Sequence, residues 1–286
     1  MTVKILAASA CVATGVLLVY WQVMVRLVDA WIVDGNYSHG FLILPIAGYF
    51  VWERRDALRA TPIRPSWFGL VVFLGGILVL LAGLLGSELF LSRVSLIGTL
   101  AGIVLFLFGW RHLRILSFPL ALLLLMIPIP AIIFNRIAFP LQLLASRVGE
   151  SAMEAVHIPV MREGNVLVLA TTTLEVAEAC SGIRSLVSLL TLGILYGYFV
   201  DRRPWVRCAI ALSTVPIAIF ANGARVAGTG MAAHWFSPKA AEGFFHEFSG
   251  WAVFVVAFAM MLVVQRVILW LSPPAKEPQL AQPAAA

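Results

Sequence analysis

Charge is what this 286-residue sequence has least of: 12% of its residues are Asp, Glu, Lys or Arg, against about 25% in an average soluble domain. Too little charge remains to clothe a water-facing surface, which excludes an ordinary soluble globule. Three cysteines and no Cys-x-x-Cys or His-Glu-x-x-His pattern leave no disulfide framework and no metal centre, and nothing implies a cofactor. His39, His157, His234 and His246 have no neighbouring ligand pattern. No internal repeat occurs, so neither a solenoid nor the repeated halves of a secondary transporter are indicated. Small-residue cleavage signals are also missing after the first apolar stretch, which therefore reads as a retained helix.

What fills the chain instead is apolar, at 61% of residues. Runs such as 67–86 and 251–271 match the ~20 residues that cross ~30 Å of hydrocarbon. An all-α polytopic membrane protein is predicted, a single integral-membrane domain over 1–271. Its eight spans lie near 5–25, 39–52, 67–86, 94–110, 113–133, 182–200, 206–224 and 250–271. Pro128 and Pro130 end or kink the fifth, because proline withholds a helix donor. The net charge of +6 comes from short clusters between spans, so nucleic acid is set aside. Those clusters are Arg54, Arg55, Arg59 and Arg64, then Arg111 and Arg114, then Arg202, Arg203 and Arg207. Eight crossings with a cytoplasmic amino terminus put all three inside, as the positive-inside rule requires, together with the carboxyl terminus.

Two segments then face outward, 134–181 and 225–249. The first opens with an amphipathic stretch at 138–156, suited to lie along the outer interface. Beyond it, Gly164-Asn165 supplies a turn between Val- and Leu-rich residues, and Thr171–Thr173 turns the chain back, predicting a small extracytoplasmic β-hairpin before span six. The tail 272–286 is Pro- and Ala-rich and is expected to be disordered.

Topology separates the cysteines. Cys11 and Cys208 fall in spans, where an inert thiol is expected. Cys180 stands at the outer start of span six, at a helix amino end and four residues before Arg184. Both features favour thiolate, whereas Glu175 and Glu178 oppose it. A nucleophile and a small buried hydrophobe are both open readings. Arg225 is either a site residue at the membrane boundary or a snorkelling side chain. His246 is either an acid/base or a solvated loop residue. A thiol nucleophile needs such partners, and all three positions are expected at one depth on one side.

At these residues the sequence resembles the exosortases, eight-span membrane cysteine transpeptidases related to the archaeosortases. The resemblance rests on YSHGFLILPIAGYFVW (37–52), EVAEACSGIRSLVSLLTLGILYGYF (175–199), ANGARVAG (221–228) and AEGFFHEFSGW (241–251). It implies Cys180 as the thioester-forming nucleophile, Arg225 as proton donor or oxyanion partner, and His246 as the third member. His39 lies within the resemblance and takes no role from it. The chain ends soon after span eight, so the carboxyl-terminal domain fused to some exosortases is not expected. Implied partners are exported proteins whose carboxyl terminus carries a Pro-Glu-Pro type motif, a hydrophobic helix and a basic cluster. A lipid or glycan acceptor completes the transfer, in a bacterial inner membrane. Arg184, Arg136 or Arg147 could meet the motif's carboxylate. A transporter and a non-enzymatic scaffold are the alternatives, and neither explains an outward Cys, Arg and His at one level.

Overall fold

The computed structural model describes residues 2–170, 172–176, 183–236 and 244–272, with the side chains of 2–10, 183 and 244–249 left aside. Helix dominates, because long apolar runs can satisfy their own backbone groups only by coiling. Six helices are long and apolar enough to cross a membrane: Cys11–Val33 of α1 (Thr2–Val33), α4 (Phe68–Leu85), α5 (Leu89–Leu107), α7 (Ala131–Ala155), α9 (Pro204–Trp235) and Gly250–Leu271 of α10 (Phe244–Leu271). Two shorter apolar helices are α2 (Gly40–Glu53) and α8 (Ile183–Val200). Leu18, Leu85 and Trp67 are 74%, 87% and 78% exposed, a display that only lipid tolerates. The protein is a multi-pass membrane protein.

The chain forms two compact units, Met1–Phe134 and Asn135–Ala286. In the first, α4 and α5 form a close antiparallel pair. Gly76 and Gly83 leave no room for a Cβ against Thr99 and Ser92, the small-residue contact by which helices associate where both face lipid. Helix α1 joins this pair through buried Tyr20, Val23, Leu80 and Leu96, and the Tyr20 hydroxyl bonds the Thr99 hydroxyl at 2.7 Å.

Helix α6 (Trp110–Leu122) continues as a 3-10 turn (Leu123–Met126) and stops at Pro128 and Pro130, so the fifth predicted span breaks where the prolines required. Its middle and its 3-10 turn are tied to the two ends of α2. At one, Arg54 donates to the Ile115 carbonyl at 2.8 Å and Phe50 meets Phe118 edge-on at 5.0 Å. At the other, the His39 ring bonds the Leu125 carbonyl at 3.0 Å, Trp31 Nε1 donates to the Met126 carbonyl at 2.8 Å, and Tyr37 Oη accepts the Ile129 amide at 3.0 Å. Side chains of the α1–α2 junction thereby satisfy backbone groups that the broken helix leaves bare. Between α2 and α4, the basic cluster folds as the short helix α3 (Arg55–Ala60), with Arg55 over the Trp52 ring at 4.2 Å.

In the second unit the hairpin of the sequence reading is present and larger. Strands β1 (Val160–Glu163), β2 (Val166–Leu169) and β3 (Thr173–Glu175) form one antiparallel sheet in chain order, turning at Gly164 with φ +66°. Arg162 pairs with Glu150 at 2.7 Å and Ser146 donates to the Gly164 carbonyl at 3.0 Å, which docks the sheet on α7. Helices α8, α9 and α10 share a core of Leu189, Ile210, Ile217, Ala257 and Met261.

Several boundaries differ from the sequence reading. Helix α1 runs to Val33, and α7 is one 25-residue helix that starts directly after the prolines. Helix α9 does not stop at 224 but continues to Trp235. Its extra turns are held by α7: a Cβ on Gly223 would strike Val148, and one on Gly230 would strike Met153. The tail's predicted disorder concerns residues that, from 273 on, lie outside those described.

At the α8–α9 junction, Asp201 accepts the Arg203 amide at 2.7 Å and its Nη2 at 2.7 Å, just ahead of Pro204 at the helix start. The hydrogen-bonded Arg203 guanidinium holds the Asp201 carboxyl below the ordinary 3.8, with burial opposing. A depressed carboxyl stabilises the fold above its ordinary range and loses that contribution as pH falls through the depressed value. Asp201→Asn is therefore expected to lower the detergent melting temperature slightly at pH 7 and to match wild type at pH 2. An unchanged difference across that range would dissociate the pair from stability.

Candidate active site

Arg225 is the one member of the expected trio whose side chain is described. It is half-buried on α9, 21 residues after Pro204, so it lies about 32 Å along the helix at 1.5 Å per residue. That distance is close to the ~30 Å of a hydrocarbon core. The sequence reading placed Arg225 at the end of a helix; it stands instead within one, where ten further residues rigidify its backbone.

What fixes this stretch of α9 is contact on the α7 side. Val226 is buried with Ala145, Met153, Ile158, Leu167, Leu169 and Val176, so the sheet, α7 and α9 share one core next to Arg225. Gly223 abuts Val148, and a Cβ on Gly149 would lie 2.7 Å from the Val226 methyl. Positions 148, 149 and 153 of α7 thus meet 223, 226 and 230 of α9 in rising order, and the two helices run in the same sense where they touch.

The guanidinium reaches α10. A Cβ built on Gly250 would lie 3.4 Å from Arg225 Nη2 and 3.5 Å from Cζ. The group stands where a Cβ at 250 would make ordinary van der Waals contact with it and a larger side chain would not fit beside it. His246 precedes Gly250 by four residues on the same helix, which puts it on the face that Arg225 touches, one turn away. Its imidazole lies outside the described side chains. Gly250 went unnoticed in the sequence reading, although it lies inside the AEGFFHEFSGW stretch that carried the resemblance.

Cys180 lies outside the described residues, and with it the relation to Arg184. Its upstream anchor is well defined. The Val176 amide donates to the Asn165 carbonyl at 2.9 Å, Asn165 Nδ2 donates back to the Val176 carbonyl at 3.4 Å, and the Val176 side chain packs in the core that holds Val226. Three residues of chain separate that clamp from position 180. Arg184 is exposed on α8, and Arg136 and Arg147 are exposed on α7. Arg162, by contrast, is taken by Glu150.

Gly250 provides a test of the Arg225 contact. Gly250→Ala places its methyl at ordinary van der Waals distance and improves helix propensity, so folding and activity are expected to persist. Gly250→Leu needs the space of the guanidinium and is expected to displace it, with loss of activity at unchanged abundance. Full activity of the Leu variant would show that this contact positions nothing.

A family model described as transmembrane exosortase matches residues 31–263, a stretch that includes Cys180, Arg225 and His246. No curated protein and no solved structure matches the chain.

Proposed function

The chain belongs to the transmembrane exosortase family, whose model covers more than half of it, and from that premise we propose that it is a membrane cysteine transpeptidase acting on exported proteins. The observation that carries the proposal is the Arg225 guanidinium lying against Gly250, one turn from His246 on α10, while Val226 packs against Val176, four residues before Cys180. Nucleophile, cation and imidazole are drawn in this proposal from three distant parts of the sequence.

In the proposed reaction His246 accepts the Cys180 proton, and the thiolate attacks the scissile carbonyl of a carboxyl-terminal Pro-Glu-Pro type signal. The new S–C bond pushes the carbonyl electrons onto oxygen, where Arg225 stabilises the charge. Collapse breaks the C–N bond, and the departing amine takes the proton from His246. A thioester remains on Cys180. An acceptor nucleophile, deprotonated by neutral His246, attacks it, and the Cys180 thiolate leaves with the proton returned. Arg225 serves as charge stabiliser because a guanidinium gives up its proton far less readily than an imidazole, which leaves proton transfer to His246. Arg184 is the proposed contact for the signal's carboxylate.

Eight crossings are proposed, by α1, α2, α4, α5, α6 with its 3-10 turn, α8, α9 and α10. The bonds from Arg54 to the Ile115 carbonyl and from His39 to the Leu125 carbonyl hold α6 with its 3-10 turn alongside α2, and the two are counted as paired crossings. Helix α7, with Arg136, Arg147, Glu150 and Glu154, then lies along the outer surface of a bacterial inner membrane beneath the sheet. Both termini are cytoplasmic. Met161→Cys, at a position 56% exposed on β1, is expected to react with an impermeant thiol reagent from outside when Cys11, Cys180 and Cys208 are all replaced by Ala. Labelling only from the cytoplasm would reverse the proposed face.

The test of function is co-expression with exported proteins that bear the signal. Mass spectrometry is expected to find them cut near the motif and carrying a lipid or glycan adduct. Intact signals in the presence of abundant, folded enzyme would refute the proposal.

A further inference from the structure

The first unit contains a charged site built from residues that the proposed reaction does not use. A cavity of about 190 Å³ opens between α1, α4 and α5, and its polar lining is Gln22, Arg26, Ser87, Ser92 and Arg93. Arg93 is only 6% exposed. Its Nη2 donates to the Arg26 carbonyl at 3.0 Å, and its buried Nε has no partner. Among the described residues neither Arg26 nor Arg93 forms an ion pair, and the nearest acids in sequence, Asp29 and Glu88, are exposed.

A buried guanidinium without a counter-charge is costly inside a helix bundle, and it marks a place where an anion is supplied from elsewhere. Tyr37 does not supply it. Its hydroxyl already accepts the Ile129 amide, and burial pushes the phenol up from 10.0, so it stays neutral. The amino end of α5, which begins at Leu89, adds a favourable field for negative charge.

The same three helices carry an apolar groove of about 390 Å³, lined by Val16 and Val19 of α1, Phe73 and Ile77 of α4, and Ile103 and Phe106 of α5. From Arg93 to Phe106 is 13 residues, about 20 Å along α5. One leaflet of a ~30 Å hydrocarbon core is about 15 Å deep. Cavity and groove share no lining residue, but Val23 of the first and Tyr20 of the second stand one turn apart on α1, so the groove follows the charged seat along the bundle as an acyl chain follows its headgroup.

We infer that this seam binds an anionic phospholipid, its phosphate held by Arg26 and Arg93 and an acyl chain in the groove. Two guanidiniums with hydroxyl and amide donors suit the several oxygens of a phosphate diester, and the absence of a paired acid disfavours a zwitterionic headgroup. The site is independent of the catalytic reading and stands or falls separately.

The experiment titrates the purified full chain in detergent with short-chain phosphatidylglycerol, phosphatidylcholine, diacylglycerol, inorganic phosphate and an acidic peptide, reading binding by native mass spectrometry and the melting temperature. Phosphatidylglycerol is expected to bind at least ~10-fold more tightly than the others, the size of one to two charge-assisted contacts. Arg26→Gln removes an exposed side chain with no internal bond to lose, so its melting temperature without lipid is expected to match wild type while phosphatidylglycerol binding weakens at least ~10-fold. Arg93→Lys, which keeps the charge but loses the planar fork, is expected to weaken binding likewise. Should it fail to fold, Arg26→Gln decides alone. Equal binding of diacylglycerol or phosphatidylcholine, equal stabilisation by inorganic phosphate, tighter binding of the acidic peptide, or an Arg26→Gln protein that binds like wild type would each overturn the inference.

Discussion

Cys180→Ala is expected to abolish substrate processing while leaving membrane insertion and abundance intact. The reaction proposed has no route without a sulfur nucleophile, and a small residue replaces a small residue. Cys180→Ser is expected to fail as well, since a serine hydroxyl is a far weaker nucleophile unless a base matched to it lies alongside. Cys11 and Cys208 are both exposed in the described structure, on helices that face lipid, and their joint replacement by Ala is expected to keep most activity. A hydroxylamine-sensitive conjugate between enzyme and substrate should disappear with Cys180 and with neither of the others. Continued processing by Cys180→Ala would end the transpeptidase proposal and bring back a transporter or scaffold.

Arg225→Lys carries the second large effect, a loss of at least ~10²-fold in processing with the fold retained. The guanidinium stands beside α10 at Gly250, and a planar fork there can offer two parallel donors to an oxyanion. A lysine ammonium keeps the charge but is a mobile point donor. The loss should appear in kcat with KM little changed, because the oxyanion exists only along the reaction path. Near-normal kcat in the Lys variant would mean that charge alone suffices and that the fork geometry is incidental.

The sequence carried the membrane character of this protein because a span is a local property: ~20 apolar residues cross hydrocarbon whatever their neighbours. The break at Pro128 and Pro130 and the turn at Gly164 were legible for the same reason, each resting on the backbone chemistry of one or two residues. The three positions proposed for chemistry were singled out by residue type and by their expected place on the outer side.

Helix α9 shows where local reading stopped. Asn222 and Gly223 look like a helix end, yet the helix continues to Trp235 because Gly223 and Gly230 are the places where α7 comes close, and packing outweighs a propensity cost of about 1 kcal/mol per glycine. The docking of the sheet on α7 through Arg162 and Glu150 and the meeting of Arg225 with Gly250 are likewise contacts between separate elements. Residue type and spacing determined that this is a multi-pass membrane protein and which side chains are chemically unusual. Tertiary structure decided which of them meet: the orphan Nε of Arg93 and the guanidinium of Arg225 were defined by what other helices bring, or fail to bring, within reach.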